Sequence, residues 1–537
     1  MEENKGNNNL FKDIAKNLLK RKNPDDMMQV ANRNGLKKTL TVFDLIILGV
    51  GAIIGSGIFA VVGIAAAGGA ESVGAGPALV LSMIIAAIAC VFSALCYCEF
   101  AAMLPVAGGA YVYTFATLGE CMAWMVGWIL MLEYGIGYLA VACAWSNHFV
   151  QFMKGFQGHL PSILTNPPVW LVSDYRSISL LYGDSANNIM PTIFGIPFCI
   201  NLPAFIVILF ITLVLIRGTK DSTIMATIMV VIKLSVIALF ILVGAFYVTP
   251  ANWHPFAPNG FTGIISGAFI IFFAYIGFDA IATTAEECKN PQKDLPRGII
   301  GSLLITTVVY ILVALVLTGM HPTSGIAIPQ GFLKAPMAYV MAMVHQDWVA
   351  GFISVGSLAG LTSVLLVLHL ACSRILYAMS RDNFLPRICK KLDRKTRIPV
   401  VLTWIIGLLT MFGVMTLDLN AAAELCNFGT FTSFIIVCVA VLILRKIDPD
   451  RKRPFRVPFS PWFPLLGIIC CGGLMIYFLI TSATFMSAIL FPTWLIVGLL
   501  IYALYGYRKN RRKERLMKEM QLRALEKKNE ESVTNEY

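Results

Sequence analysis

Apolar residues gather in long, almost uninterrupted runs, and charged residues fall in the gaps between them. Twelve runs, at approximately 43–67, 77–104, 112–144, 202–217, 222–248, 261–285, 298–320, 347–373, 399–416, 421–444, 462–483 and 488–506, are candidates to cross a membrane. A hydrocarbon core about 30 Å thick takes about 20 helical residues. The pattern predicts an all-α polytopic membrane protein with twelve transmembrane helices. When successive spans alternate in direction, one side collects all 42 Lys and Arg residues except Lys154, Arg176 and Lys334 on the other side and Lys233 inside the fifth run. Basic loops stay cytoplasmic, so both termini are expected there, with residues 1–42 and 507–537 as basic tails.

Within the first tail, Leu10, Phe11, Ile14, Ala15, Leu18 and Leu19 alternate with lysines at helical spacing, which predicts an interfacial helix. No cleavable leader is expected, because no apolar stretch followed by a small-residue site opens the chain. Residues 152–200 form the one long external connection, a tolerated loop before it is a lid. Composition narrows the function: 57% of the 537 residues are hydrophobic and 13% charged, which is more apolar surface than one or two soluble cores can bury. That excludes a soluble enzyme or a disordered scaffold. The net charge of +12 reports topology, so no nucleic acid partner is expected; the bilayer itself is the expected partner. The 13 cysteines lie mostly in apolar runs without metal-ligand spacing, which makes them buried hydrophobes and implies neither a metal nor another cofactor.

Two runs depart from a plain helix. The first reads GVGAIIGSGIFAVVG, with Gly49, Gly51, Gly55 and Gly57 close together, and the sixth places Gly277 and Asp279 in an apolar stretch. Gly51 and Gly55 also fit a close-packed helix face, but the Gly55-Ser56-Gly57 triplet exceeds what packing needs. These runs are each the first of a block of five, which hints at two five-helix repeats, 43–248 and 261–444, each opened by an interrupted helix, with two further helices in 462–506. A restarting half-helix offers amides to an anion, and freed carbonyls face a cation. A zwitterion satisfies both, which points to a small amino acid.

The strings GVGAIIGSGIF, FAYIGFDA leading into EECKNPQKDLPRGI, and ILYAMSRDNFLP resemble the amino acid-polyamine-organocation superfamily, in particular bacterial members of its cationic amino acid transporter branch. The resemblance runs from about Leu40 to Pro458 and implies a five-plus-five inverted repeat with helices 1 and 6 discontinuous, and secondary active amino acid transport across the plasma membrane. Carried over by residue, it places substrate contacts on Ile53, Gly55, Ser56 and Gly57 and on Phe273, Ala274 and Ile276.

Lys233 lies about 11 residues into its run, roughly 16 Å deep at 1.5 Å per residue, beyond easy snorkelling. It is the first candidate for proton coupling, against a permanently charged structural lysine. Relatives with such a lysine keep a Ser or Thr pair beside it, which Thr362 and Ser363 match. Glu133, central in the third run, is a second candidate, either as a proton relay or as a polar lock of the scaffold. Asp279 reads as a cap for the half-helix after the break. Glu99, Glu286, Glu287 and Arg374 read as gate or loop salt bridges. Leu368 sits where arginine-carrying relatives tend to have a small polar residue, which favours a short or apolar substrate side chain; its neighbour His369 is a lone buried histidine.

The expected function is a proton-coupled symporter of small neutral L-amino acids working by alternating access, with amino acid and proton as its small-molecule partners. Cationic amino acid uptake and amino acid exchange stay open, as does a small accessory membrane subunit; a non-transporting amino acid sensor is the rival from another class. No metalloprotease or nucleophile-elbow motif supports an intramembrane enzyme.

Overall fold

The computed structural model describes residues 21–33, 40–69, 72–106, 108–193, 196–323, 328–393, 396, 398–481 and 489–506. The basic helix expected at residues 10–19 and the tail 507–537 lie outside these residues. Helices make up nearly all of the regular structure: α1 (Pro24–Arg33), α2 (Val42–Ile53), α3 (Val62–Ala67), α4 (Leu79–Met103), α5 (Gly109–Thr117), α6 (Glu120–Lys154), α7 (Tyr175–Tyr182), α8 (Leu202–Arg217), α9 (Thr219–Gly244), α10 (Gly260–Phe272), α11 (Pro291–Met320), α12 (Asp347–Arg381), α13 (Val400–Gly413), α14 (Leu419–Ile447), α15 (Trp462–Thr481) and α16 (Phe491–Ile501). The strands among the described residues form two short antiparallel hairpins, Gly68–Gly69 with Ser72–Val73 and Thr192–Ile193 with Ile196–Pro197.

Eight described helices are long and apolar enough to cross a membrane, and the bent pair Val42–Ile53 with Gly57–Ala67 makes a ninth candidate. Three shorter apolar helices, Leu202–Arg217, Val400–Gly413 and Phe491–Gly506, fall where further spans were expected. The run at 112–144 departs from expectation. It divides at Leu118 and Gly119, where Gly119 takes φ 97°, into the short α5 and a 35-residue α6 that continues to Lys154. Apolarity is continuous across that turn, so hydropathy alone merged the two.

Local sequence explains the helix starts. Thr41 and Asp44 form a reciprocal capping box at the head of α2. Asn201 accepts the amide of Ala204, and Asp418 caps α14 through the amide of Asn420. The core is one continuous apolar cluster in which α6 packs against α12 and α14, α4 against α11, and α9 against α12. The faces turned away from it expose Leu409, Ile469, Ile480 and Phe246, as lipid-facing surfaces do.

Residues 152–200 carry their own small core of Ile178, Ala186, Met190 and Cys199, against which Val169 and Trp170 pack. The segment is fastened to the connection between α13 and α14: Tyr175 N donates to Met415 O at 3.0 Å, and Arg176 pairs with Asp418 at 3.1 Å. Burial there raises the Asp418 carboxyl to about 6, with Asp174 adding to the shift and Arg176 opposing it. At the opposite end of the bundle, Glu99 of α4 accepts both Arg445 of α14 and the amide of Val457 (2.8 Å), with Arg453 3.4 Å away. This is the loop salt bridge expected of Glu99. Lys22 pairs with Asp382 beyond α12, while Tyr111 donates to the same carboxylate at 2.6 Å. None of the thirteen cysteines is in a disulfide, and all are buried or half-buried.

Candidate functional site

Two interrupted helices meet in the middle of the bundle. Helix α2 ends at Ile53, and Ile54 turns extended with φ −72° and ψ 103°. The chain re-enters a helix through a π-helical turn, Gly57–Val61, and continues as α3, with a bend of 41° across the break. The sixth run breaks by a different device. After α10 comes one 3-10 turn, Phe273–Tyr275, then an extended Ile276 and Gly277 at φ 119°, before the 3-10 segment Phe278–Glu287. Only glycine takes that φ at little cost. A Cβ on Gly57 would lie 2.2 Å from the Ala274 Cβ, and one on Gly277 would lie 3.0 Å from the Ala52 carbonyl carbon. The breaks therefore cross backbone against backbone, which no side chain allows.

Carbonyls freed by the breaks are met by two buried donors. Lys233 Nζ, fully buried, donates to Gly51 O, to Ile54 O at 2.6 Å and to Ser363 Oγ at 3.1 Å. Tyr310 Oη, from α11, lies 3.0 Å from Ile53 O and 2.8 Å from Ala274 O, so one hydroxyl bridges both breaks. Tyr310 went unnoticed in the sequence because it sits among apolar residues without a motif. The expected hydroxyl pair divides: Ser363 faces Lys233, whereas the Thr362 hydroxyl donates to Leu358 O and accepts the Trp145 indole N–H. Successive residues on a helix point about 100° apart, so one lysine does not collect both.

A small cavity opens between the breaks. Ile53, Gly55, Ser56, Gly57, Phe273, Ile276 and Leu368, all named from the sequence as candidate substrate contacts, line it. Ala274 lies behind it, held through its carbonyl by Tyr310 and against Gly57 by its Cβ. The remaining wall holds Ala52 of α2, Gly137 and Val141 of α6, Val364 of α12 and Cys426 of α14, none of which stood out in the sequence. Ser56 is the one hydroxyl and Cys426 the one thiol in this lining, and no charged side chain takes part. The pocket thus offers backbone dipoles at one end and an apolar wall at the other.

Glu133 and Asp279 lie outside this lining, both buried. Ser433 Oγ donates to Glu133 Oε2 at 3.1 Å, and Tyr134 Oη donates to Asp279 Oδ2. The other oxygen of each carboxyl, and Tyr97 Oη, have no hydrogen-bond partner among the described residues. Cys426 joins the cluster to the cavity, since its thiol lies 3.1 Å from Glu133 O. His369 points away from the cavity, with Nε2 3.1 Å from Thr403 O and its ring edge-on to Tyr138, which is a structural placement. His148 ties α6 to the half-helix beyond the first break, with its ring nitrogens 3.0 Å from Ala144 O and 3.1 Å from Phe59 O.

Residues 40–502 match the family model described as amino acid permease. The chain is 40% identical to the branched-chain amino acid permease BcaP of Bacillus subtilis (strain 168), over 91% of this chain and 97% of that one. It is equally 40% identical to the methylthioribose transporter of the same organism, over 90% and 97%. It is 34% identical to the chloroplastic cationic amino acid transporter 9 of Arabidopsis thaliana, over 84% of this chain and 75% of the plant protein.

Proposed function

Because the chain belongs to the amino acid permease family, and is therefore a multi-pass membrane transporter rather than an enzyme, we propose that it carries small neutral L-amino acids, branched aliphatic ones above all, by proton-coupled symport across the plasma membrane. The observation that carries this reading is the cavity between the breaks. Val141, Val364 and Leu368 in its lining suit an aliphatic side chain, and no acidic side chain lines it to meet a cationic one. The name of the BcaP relative points the same way.

Alternating access follows from the chemistry of the hinge. Twelve spans in a five-plus-five inverted repeat, with both termini cytoplasmic, place the two breaks near the midplane. The substrate carboxylate takes the first-turn amides after Gly55, which have no intrahelical acceptor, and its ammonium faces carbonyls of Ile53 and the 273–276 segment. Lys233 holds the end of α2, at the edge of the break, by the carbonyls of Gly51 and Ile54 and ties it to Ser363 of α12. Loss of its proton removes donors from that join and loosens it, so protonation and hinge motion are linked. Glu133, with Asp279 close in the same polar cluster, is the second proton-bearing group of this proposal. The bilayer, the amino acid and the proton are the partners it requires.

Uptake of labelled L-leucine and L-alanine into sodium-free proteoliposomes, with an inward proton gradient imposed or collapsed, tests the reading. Gradient-driven accumulation supports symport. Accumulation that ignores the gradient but requires amino acid preloaded inside identifies an exchanger instead.

A further inference from the structure

The carbonyls on which a substrate ammonium would rest already have donors. Lys233 serves Gly51 O and Ile54 O, and Tyr310 serves Ile53 O and Ala274 O. These four acceptors belong to the two breaks, and both donors are fully buried. An unpaired buried carbonyl would make an ammonium obligatory, since leaving it empty costs about 1–3 kcal/mol. Tyr310 has one proton to share between Ile53 O and Ala274 O, so a ligand has to supply only one further donor, which a hydroxyl does as well as an ammonium.

Charge points the same way. The cavity lining holds no carboxylate, so a ligand ammonium beside Ile53 O meets only carbonyl dipoles, one residue from the carbonyl that Lys233 holds. When Lys233 carries its proton, a second cation there is opposed, whereas a ligand of charge −1 is matched. A ligand hydroxyl needs only one acceptor. Each carbonyl oxygen has two lone pairs, so a hydroxyl can share Ile53 O or Ala274 O with Tyr310.

We propose that this site also takes amine-free 2-hydroxy acids with branched aliphatic side chains, and that Tyr310 is the positioning residue that makes the ammonium dispensable. The inference rests on the neutral amino acid reading above, because it places the same carboxylate and side chain in the same cavity. The carboxylate lies on the amides after the first break, the side chain on Leu368 and Val364, and the 2-hydroxyl where the ammonium would be. Carried with a protonated Lys233, such a monoanion leaves the site electrically neutral.

The test is displacement of labelled L-leucine from the full-length protein in detergent, using unlabelled L-leucine and (S)-2-hydroxy-4-methylpentanoate, which keeps the leucine side chain and carboxylate. In the unaltered chain the hydroxy acid is expected to compete within about tenfold of leucine, a difference of about 1.4 kcal/mol. In Tyr310→Phe, leucine is expected to bind within about threefold of its original affinity, because an ammonium has three donors to share between both carbonyls. The hydroxy acid, with one, is expected to weaken by about tenfold or more. Equal weakening of both ligands would show that Tyr310 only supports the fold and would overturn the proposal. So would failure of the hydroxy acid to compete at about a hundred times the effective leucine concentration. If the unaltered chain binds no leucine at all, the amino acid reading falls and takes this one with it; leucine binding without hydroxy acid binding overturns this proposal alone. Should Tyr310→Phe not fold, the comparison of the two ligands on the unaltered chain decides.

Discussion

At the scale of single residues, the absence of a side chain does as much as its presence. A Cβ on Gly137 would lie 3.2 Å from Cys426 Sγ and 3.7 Å from Leu368 Cδ1, so this glycine sets the depth of the cavity. Gly137→Val is expected to cut kcat/KM for leucine uptake about tenfold while alanine stays within about threefold, the worth of one or two methyl groups in an apolar pocket; equal losses for both would mark a folding defect. Gly57→Ala has no such selectivity, because its methyl would meet Ala274 at 2.2 Å and force the breaks apart. Transport of every substrate should vanish, with the protein still inserted. Gly57 was legible in the sequence as part of an overfull glycine cluster. Gly137 was not, since a single glycine in an apolar helix carries no periodic signal and its meaning depends on α12 and α14 lying opposite.

The interrupted helices work as elements rather than as lists of contacts. Lys233 belongs to α9 yet its three partners lie on the first span and α12, so it is the joint of three helices. Lys233→Met removes the titrating group and keeps most of the apolar stem. Gradient-driven leucine accumulation is expected to disappear while leucine exchange survives, measured in the same proteoliposomes; loss of exchange as well would make the lysine a structural pin. A second element-level expectation concerns the docked segment 152–200. The Asp418 carboxyl, just outside α14, is raised to about 6 by burial. A folded-state value above the unfolded one means that the docked form binds more protons, so docking is firmest below the ordinary carboxyl value of 3.8 and weakens as the pH rises from there through about 6. Hydrogen exchange across 175–190 should show greater protection at pH 5 than at pH 7.5 after correction for intrinsic rates. Asp418→Asn should reduce that difference, leaving the part contributed by Asp174, whose carboxyl is also raised by burial. The long helices were legible because apolar length alone marks them. The turn at Gly119, the core of the 152–200 segment and the split of Thr362 from Ser363 were not, because each is decided by which helix stands opposite rather than by the local residues.

The whole molecule is held at its two ends by polar ties and between them by apolar packing. Glu99, Arg445 and Arg453 form the densest tie, and removing one partner of a buried pair leaves the others charged and unmatched. Glu99→Ala is expected to cost about 3 kcal/mol, read as a lower apparent melting temperature in detergent and a reduced folded yield. The same tie has a consequence in time. Glu99 leaves the ribosome 346 residues ahead of Arg445, which at 5–20 residues per second is a wait of roughly 20 to 70 s. Through that interval the end of α4 is in place with an acid that has no mate, and α14 supplies the cation only when most of the chain has been inserted. Variants in the 445–457 segment should therefore extend that wait without end, leaving Glu99 unmatched in the completed chain, and are expected to show first as a reduced yield of folded protein.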